Sequence, residues 1–458
     1  MIGAEFPSSR IKTGTGVAMK LHHQIFLAML AGAGIGAITG EHSTLFGVSV
    51  LAGFDLVGSL FINALKMLVV PLIVTAIISG MVGVGGGDNL GRMGVKTVFF
   101  YMSTSLVAIL IGLMLVNLLT PGIIDGEPAR NLLGLSAETD NVLAKIEGRG
   151  AGDFTEILRQ MLPPNLIAAA ANGQMLGLIV FALLFGFYLR TEKGSAGETL
   201  RQMIDGIYQV MIRITMLIIR FTPIGVFALI AATVTRTGMD AIEPLAWFFL
   251  TVLLALFAHA FVFMPALILL LGKRSPIRHI QAMMPALLTA FSSASSAATL
   301  PLTMECVQDR AGVSRKTSSF VLPLGATVNM DGTALYECVA AIFIAQAYGM
   351  DLSFGMQFMI VVTALLTSIG VASIPAASLV AITVILAAIG LPAEAIGLIL
   401  VTDRILDMCR TAVNIWGDSV VTVLLARSEG EEQVLSLPVN EMEARAAEAA
   451  REHHQAVN

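Results

Sequence analysis

Long hydrophobic runs alternate with short polar segments along most of the chain. Eight runs lie near residues 24–40, 56–82, 98–119, 166–189, 207–232, 244–271, 318–348 and 393–426. A helix of about 17 to 25 mostly apolar residues crosses a bilayer, so each run predicts a membrane-spanning helix. Composition agrees, because 56% of the 458 residues are hydrophobic and only 13% are charged. The pattern predicts an all-α polytopic membrane protein in a lipid bilayer.

Basic residues in the short connections predict the orientation of these helices. Basic clusters recur in every second connection, for example as Lys273, Arg274 and Arg278. The positive-inside rule places such connections in the cytoplasm. The residues before the first run show no cleavage site, so this run is expected to remain as a helix. Both termini are therefore expected in the cytoplasm. The charged, alanine-rich tail 429–458 is expected to be a short helix or disordered, without a visible function.

Polar residues occupy one side of the last predicted helix. They are Asp403, Asp407, Arg410, Asn414 and Asp418, which fall within an arc of about 80°. An ionised group at the centre of a bilayer costs at least ~2.5 kcal/mol, so such residues pair with one another or line a polar site. An ion-pair network that only joins helices is one interpretation. A binding site for a polar ligand and ions is the favoured one.

Two further apolar stretches contain small residues and a proline at mid-membrane depth. Stretch 276–307 breaks at FSSASSAATLP (291–301), and stretch 353–391 breaks at SIGVASIPAASL (368–379). A bilayer tolerates non-helical backbone only where protein or a water-filled cavity satisfies it. Both stretches predict re-entrant helical hairpins, whose half-helix N-termini suit an anionic solute. A kink with serine hydrogen bonds between helices is the alternative.

The seventh run contains the polar motif NMDG (329–332), with Gly325 before it and Gly332 as its last residue. Each glycine weakens a helix by roughly 1 kcal/mol relative to alanine, so this stretch is expected to unwind. Unwinding would expose backbone carbonyls beside the side-chain oxygens of Asn329 and Asp331, a set that suits a monovalent cation. The hydroxyls of YMSTS (101–105) are a weaker candidate, because serine and threonine also pack between membrane helices.

Glu337 is a single carboxyl group in the apolar part of the same run, four residues beyond Thr333. Burial favours the neutral form of a carboxyl group, which makes Glu337 a candidate proton carrier. A permanently neutral acid that only donates a hydrogen bond is the alternative.

The order of these motifs resembles the sodium-coupled dicarboxylate and amino-acid symporter family that includes glutamate transporters. The motifs are the Ser-rich hairpin, NMDGT (329–333), SIGxxSIP (368–375) and DxxxDxxRTxxNxxxD (403–418). The likeness extends from the first helix to about Arg427. It implies the elevator-type fold of that family, with eight transmembrane helices, two re-entrant helical hairpins and a homotrimer.

The resemblance also implies how the chain is divided. A fixed scaffold would hold helices 1–2 (21–92) and helices 4–5 (164–240). A moving transport domain would hold helix 3 (93–120) and residues 241–428, which contain helix 6, the first hairpin, helix 7, the second hairpin and helix 8. A cytoplasmic N-terminal segment (1–20), an outer connection (121–163) and a cytoplasmic C-terminal tail (429–458) would complete the chain. The second hairpin would close over the substrate as the extracellular gate.

The family's substrate roles fall mainly on the last helix. The resemblance implies that Arg410 binds the distal carboxylate of the substrate through its planar guanidinium, and that Asp407 binds the amino group. The other implied substrate-binding residues are Asn414, Thr411, Ser295 and Ser296 for the α-carboxylate, with Thr333, Met330 and Ala377 nearby.

The resemblance implies three sodium sites and a coupled proton. The sites would be formed by Gly325, Asn329, Asn414 and Asp418, by Thr327, Ser368 and Ile369, and by Tyr101, Thr104, Ser105, Asn329 and Asp331. Glu337 stands where proton-coupled glutamate transporters carry a glutamate, which implies H⁺ coupling in addition to Na⁺. Where relatives place a second arginine, this chain has Ala294 and Met408. Arg404 either replaces that charge or balances Asp403.

These expectations combine into one predicted function. The chain is expected to be a secondary active symporter of the cell inner (cytoplasmic) membrane that imports L-glutamate and L-aspartate with Na⁺ and H⁺. A C4-dicarboxylate symporter for succinate, fumarate or malate is the alternative, although Asp407 would repel a substrate with only negative ends.

Other functional classes have little support in the sequence. A channel would need a filter repeat or a ring of charges. An enzyme would need more than His259, which stands alone in an apolar run without a nucleophile elbow. The three cysteines have no CxxC spacing, so neither a zinc site nor a disulfide is expected. No basic stripe indicates a nucleic-acid partner.

Overall fold

The computed structural model describes residues 21–40, 43–45, 47–83, 90–130, 132–133, 162–171, 175–237, 242–368, 377–438 and 441–442. Within these residues the long elements are all helices. Strands β1 (Thr44–Leu45) and β2 (Val48–Ser49) form one antiparallel pair, and β3 (Ile123–Ile124) and β4 (Glu127–Pro128) form another. The expected all-α character is therefore confirmed for the part of the chain that the structure describes.

The first half of the chain forms seven described helices. They are α1 (Leu21–Ile38), α2 (Val50–Gly83), α3 (Leu90–Leu119), α4 (Leu166–Ala171), α5 (Met175–Thr191), α6 (Ser195–Arg220) and α7 (Thr222–Thr237). The second half contains α8 (Ile242–Ala258), a π-helix (His259–Phe263), α9 (Met264–Leu270), α10 (Pro276–Ser293), α11 (Ser296–Glu305), a second π-helix (Cys306–Arg310), α12 (Arg315–Val328), α13 (Asp331–Ala347), α14 (Phe354–Ser368), α15 (Ala377–Ile389), a 3₁₀ helix (Ala393–Leu398) and α16 (Leu400–Ser428).

Five stretches of the described chain are long and apolar enough to cross a membrane. They are Val50–Val82, Met93–Leu119, Ser195–Arg220, Ile242–Leu270 and Arg315–Ala347. Shorter apolar helices accompany them, among them Phe354–Ser368 and Ser378–Ile389. Large apolar side chains such as Leu56, Leu60 and Phe99 remain exposed on the protein surface, as expected where lipid tails surround a protein.

The helices pack in two groups. In the first, α1 packs on α7, and α2 packs on α5, α6 and α7. In the second, α3 packs on α13, which also contacts α8, α14, α15 and α16, while α10 and α12 pack on α16. All 17 residues of α13 are buried. This central helix therefore links most elements of the second group.

The predicted breaks in the second half are present where the structure describes them. Helix α12 ends at Val328 and α13 begins at Asp331, with Asn329 (φ −106°, ψ 91°) and Met330 (φ −119°, ψ 60°) outside the helical region. Helices α10 and α11 pack together, and Ala294 between them has a left-handed φ of 50°. Both breaks therefore lie where the sequence predicted them. The tip of the second hairpin, 369–376, lies outside the described residues, but its flanking helices α14 and α15 pack together.

Two predicted runs are not single helices in the described chain. The run 207–232 is divided between α6 and α7, because Pro223 lacks the N–H that the Ile219 carbonyl would need in a continuous helix. In the run 166–189 the structure describes α4 and α5, and residues 172–174 between them lie outside the described residues. The run 393–426 begins as a 3₁₀ helix before α16. Apolar composition predicted these segments correctly, but it did not predict the positions of their breaks.

Residues 429–438 form a segment, here called the C-terminal strap, that packs on the second group of helices. Val434 and Leu435 are buried, and the Leu435 N–H donates to the Ala311 carbonyl at 2.8 Å. The Glu431 carboxylate accepts from the hydroxyls of Ser314 at 2.7 Å and Thr317 at 2.6 Å. The expectation of a short helix or disorder is therefore wrong for these residues, because side chains of the folded body hold the strap.

Candidate functional site

Arg410 lies at the centre of a charged cluster on α16. Its side chain is fully buried, and Nη2 donates to Oδ1 of Asp403 and to Oδ1 of Asp407, each at 3.0 Å. Its Cζ lies 3.8 Å from the centroid of the Tyr336 ring on α13. Within the described residues, Nε and Nη1 have no hydrogen-bond partner. This buried guanidinium therefore keeps free donors for an anion.

Arg404 also contacts Asp407. Its Nη1 lies 3.5 Å from Oδ2 of Asp407, and its side chain is 14% exposed. Asp403 is instead bonded to Arg410. Arg404 thus adds a second positive charge to the cluster at Asp407.

Asn414 connects α16 to the break between α12 and α13. Its Oδ1 accepts from the N–H groups of Gly332 at 2.8 Å and Thr333 at 3.3 Å, and its Nδ2 donates to Thr333 Oγ1 at 3.0 Å. A Cβ on Gly332 would lie 2.8 Å from the Arg410 carbonyl oxygen, so only glycine allows this close approach. Met330 is buried within the same break. Thr411 is buried on α16, directly after Arg410. These residues therefore lie together in the fold.

The first hairpin contributes the N-terminus of helix α11. Ser295 caps α11, since its side chain accepts from the Ala298 N–H at 3.3 Å, and Ser296 begins that helix and is buried. Helix α11 contacts α16. The N–H groups and positive dipole end of α11 favour an anion at this position.

A cluster of oxygen atoms, here called the cation cluster, lies between α3, the NMDG break and α16. Asp331 Oδ1 accepts from Ser105 at 2.6 Å and lies 3.3 Å from Thr104 Oγ1. Asn329 Oδ1 lies 3.3 Å from the same Thr104 oxygen, and Asn329 Nδ2 donates to Asp418 Oδ1 at 2.9 Å. Asn329 therefore connects two buried carboxylates.

The cation cluster continues at Gly325 on α12. A Cβ there would lie 2.5 Å from Asp418 Oδ1 and would also collide with the Tyr101 hydroxyl. That hydroxyl donates to the Val321 carbonyl at 2.9 Å. Within the described chain, neither Asp331 nor Asp418 has a lysine or arginine at salt-bridge distance. Within the described chain, two buried acids thus lie close together without a lysine or arginine to balance them.

His259 is a member of this region that the sequence reading missed. It is fully buried, and its Nε2 lies 3.2 Å from Asp331 Oδ2. The two residues are 72 positions apart in the chain. A histidine in an apolar run was the available signal, but the sequence does not reveal its partner.

Two of the remaining predicted residues, Glu337 and Ser368, contact or belong to helix α14. Glu337 is fully buried, and its Oε2 lies 2.9 Å from Thr367 Oγ1, while Oε1 has no partner in the described chain. Ser368 ends α14, with its hydroxyl bonded to the Leu365 carbonyl at 2.8 Å. Ile369 and the side chains of Thr327 and Ala377 lie outside what the structure describes.

Comparison of the sequence with known protein families identifies the family of this chain. The sodium:dicarboxylate symporter family matches residues 21–428. The chain belongs to this family. As a symporter it is a membrane transporter and not an enzyme, in agreement with the prediction.

Relatives of the symporter come from bacteria and animals. The proton/glutamate-aspartate symporter of Escherichia coli strain K12 is 34% identical over 414 residues, which cover 90% of this chain and 94% of the relative. Excitatory amino acid transporter 3 of Oryctolagus cuniculus is 32% identical, covering 93% and 89%. The proton/sodium-glutamate symport protein of Bacillus caldotenax is 31% identical, covering 89% and 94%.

Proposed function

We propose that the symporter imports L-glutamate and L-aspartate together with Na⁺ and H⁺. The observation that carries this proposal is the buried Arg410 guanidinium, which keeps Nε and Nη1 without a partner in the described chain. A buried charged donor is costly to leave unpaired, so an anionic group of a ligand would stabilise it. The printed names of the relatives, which include glutamate and aspartate, agree with an acidic amino acid.

In this proposal the substrate lies between α16 and the two hairpins. Arg410 binds the distal carboxylate, and Asp407 accepts from the amino group. Ser295 and Ser296, at the N-terminus of α11, bind the α-carboxylate with Asn414 and Thr411. Thr333, Met330 and Ala377 complete the contacts. The bonds from Asn414 to Gly332 and Thr333 support this arrangement, since they hold its amide close to the NMDG break.

The cation cluster is proposed to bind two sodium ions. Sodium prefers oxygen ligands, and Tyr101, Thr104, Ser105, Asn329 and Asp331 supply them at one position. Gly325, Asn329, Asn414 and Asp418 supply them at the other, where the Gly325 carbonyl keeps a second lone pair beyond its bond to the Asn329 N–H at 2.8 Å. The unbalanced charges of Asp331 and Asp418 support this proposal, because a cation would neutralise them.

A third sodium ion is proposed at Thr327, Ser368 and Ile369. Thr327 lies in the last turn of α12, and Ser368 ends α14. The last carbonyls of a helix have no intrahelical donor and lie at its negative dipole end. Two helix C-termini therefore supply suitable carbonyls.

Glu337 is proposed to carry the proton. The Thr367 hydroxyl has a single proton, and it lies 2.8 Å from the Thr363 carbonyl and 2.9 Å from Glu337 Oε2. If that proton bonds to the carbonyl, a protonated Glu337 donates to Thr367 and both contacts are satisfied. The protonated form is also the form that burial favours.

An elevator mechanism is proposed for the movement of substrate. Residues 21–92 and 164–240 would be the scaffold of a homotrimer, and residues 93–120 and 241–428 the moving transport domain. Packing is denser within α1, α2 and α5–α7 and within α3 and α8–α16 than between the two groups, where α2 contacts α12 and α15, and this difference supports the division. Eight transmembrane helices, two re-entrant hairpins and cytoplasmic termini in the inner membrane belong to the same proposal.

A C4-dicarboxylate symporter is the second candidate. Its supporting observation is the contact of Arg404 with Asp407, which reduces the repulsion between Asp407 and a substrate with only negative ends. Asp407 still favours the amino acid, because a carboxylate at this position gains from binding an ammonium group.

Radiolabelled L-aspartate uptake into proteoliposomes tests the proposal. An inward sodium gradient and an inward proton gradient are imposed separately and then together. We expect sodium-driven uptake that an added proton gradient increases, and competition by glutamate but not by succinate. Uptake driven by protons alone would refute the sodium sites. Competition by succinate as strong as that by aspartate would favour the second candidate.

A further inference from the structure

His259 occupies an unusual position in the backbone. It begins the five-residue π-helix His259–Phe263, which interrupts α8 and α9. The Met264 N–H bonds to the His259 carbonyl five residues earlier, instead of four as in an α-helix. The extra residue in this turn changes the direction in which the following and preceding side chains point.

Pro265 explains why the turn is wide and what stabilises it. Proline has no N–H, so the carbonyl of Ala260, five residues before it, has no backbone donor in the π pattern. Trp416 of α16 supplies the missing donor, since its Nε1 bonds to the Ala260 carbonyl at 3.0 Å. The turn that carries His259 is therefore fastened to α16, the helix that carries Asp418.

The histidine ring meets one oxygen of Asp331. Nε2 lies 3.2 Å from Oδ2, whereas Oδ1 is the oxygen beside Ser105 and Thr104. A Cβ on Gly417 of α16 would come within 2.8 Å of Oδ2, so this glycine leaves room for the carboxylate to reach the ring. Each carboxylate oxygen thus has a separate environment.

We propose that His259 is a positioning residue for the cation cluster, and that its Nε2–H holds Asp331 Oδ2 so that Oδ1 faces Ser105, Thr104 and Asn329. This inference rests on the proposed sodium site at Asp331. An ionised carboxylate only accepts hydrogen bonds, so the ring donates through Nε2. A neutral donor orients the carboxylate and leaves its negative charge for the cation, whereas a lysine or arginine would cancel that charge.

His279 provides a matched control. It is also fully buried, but its ring stacks on Trp416 with a centroid distance of 4.4 Å. Neither ring nitrogen has a hydrogen-bond partner within the described residues. Replacing His279 therefore removes a buried imidazole without removing a bond to a carboxylate.

The test compares His259→Leu, His259→Gln and His279→Leu with the wild type. Two sodium concentrations are measured. The first gives half of the sodium-dependent rise in the unfolding temperature of the detergent-purified protein, without aspartate. The second gives half-maximal aspartate uptake. We expect His259→Leu to raise both about tenfold or more. His259→Gln, which restores an N–H donor, and His279→Leu should stay within about threefold of the wild type. The aspartate KM at saturating sodium should change less than the sodium requirement in every variant.

The outcomes separate this inference from the proposed function. If the wild type responds to sodium but His259→Leu keeps the sodium requirement of the wild type, or His259→Gln is as impaired as His259→Leu, the positioning role is refuted. His259→Met, which also lacks a donor, replaces His259→Leu should that variant not fold. If the wild type shows no response to sodium in either measurement, the sodium sites fail and the positioning role fails with them.

Discussion

The charged cluster at Arg410 and the cation cluster at Asp331 and Asp418 are built on opposite principles. In the charged cluster, Arg410 and Arg404 accompany Asp403 and Asp407, so the acids and bases balance. In the cation cluster, the two acids meet only amide, hydroxyl and imidazole groups within the described chain. The first cluster is nearly neutral before a ligand arrives. The second carries a negative charge that a cation would remove.

This difference teaches why one site would select a substrate and the other an ion. A guanidinium with fixed partners and remaining donors recognises the shape of a carboxylate. Oxygen atoms without a basic partner recognise mainly positive charge and size. Asn414 connects the two clusters, because it contacts the NMDG break and lies one turn from both Arg410 and Asp418. In the proposed function, the binding of an ion and the binding of a substrate would therefore affect the same short segment.

The largest expected effect comes from Arg410→Cys, which removes the centre of the charged cluster. Loss of a buried partner costs about 2 to 5 kcal/mol, so kcat/KM for aspartate should fall about 100-fold or more. Uptake of neutral amino acids is measured in parallel. Arg404→Gln, which removes only the 3.5 Å contact, should cost less than about tenfold. Unchanged aspartate uptake by Arg410→Cys would refute the assigned role.

The next effect is expected from Asp331→Asn and Asp418→Asn, which remove the charges of the cation cluster. Each should raise the sodium concentration for half-maximal aspartate uptake about tenfold to 100-fold, since a charge–ion contact is replaced by a neutral one. The exposed Asp351 supplies the control Asp351→Asn. If both cluster variants retain the sodium requirement of this control, the two clusters do not differ as described.

A smaller effect is expected from Gly325→Ala. The added Cβ would lie 2.5 Å from Asp418 Oδ1, so the carboxylate or α12 must shift. We expect a sodium requirement raised by about three- to tenfold, together with a lower unfolding temperature. Gly53→Ala is the matched control, because a Cβ there meets nothing within 4 Å and should stabilise α2 by roughly 0.5–1 kcal/mol. Equal behaviour of the two variants would show that the close approach at Gly325 has no consequence.

The smallest effect on the sodium concentration for half-maximal uptake is expected from Glu337→Gln, because Glu337 lies in neither cluster. Its amide keeps a hydrogen-bond donor for Thr367 but cannot release a proton. Stimulation of uptake by a proton gradient should disappear, while the sodium requirement stays within about twofold of the wild type. Uptake is measured with and without the proton gradient at constant sodium. Stimulation that persists in the variant would exclude Glu337 as the proton carrier.

The sequence predicted the parts of this fold whose signal is local. The polar face of α16 repeats with the helix period, and glycine and polar residues mark the break at Asn329 and Met330. Contacts between distant segments were harder to predict. His259 lies in an otherwise apolar run, and its bond to Asp331 depends on a π-helix that only the folded chain reveals. Pro223 was visible in the sequence, but hydrophobicity alone does not fix where a helix divides.

The C-terminal strap was missed for a related reason and has a practical consequence. Arg274 and Arg278 donate to backbone carbonyls of the strap, among them that of Val434 at 2.7 Å, and backbone carbonyls leave no mark on the sequence. The match to the family ends at residue 428, just before the strap begins. A truncation chosen from that boundary would delete Glu431 and uncover the start of α12. Affinity tags and fluorescent fusions should therefore be attached beyond residue 442, where they leave these contacts intact.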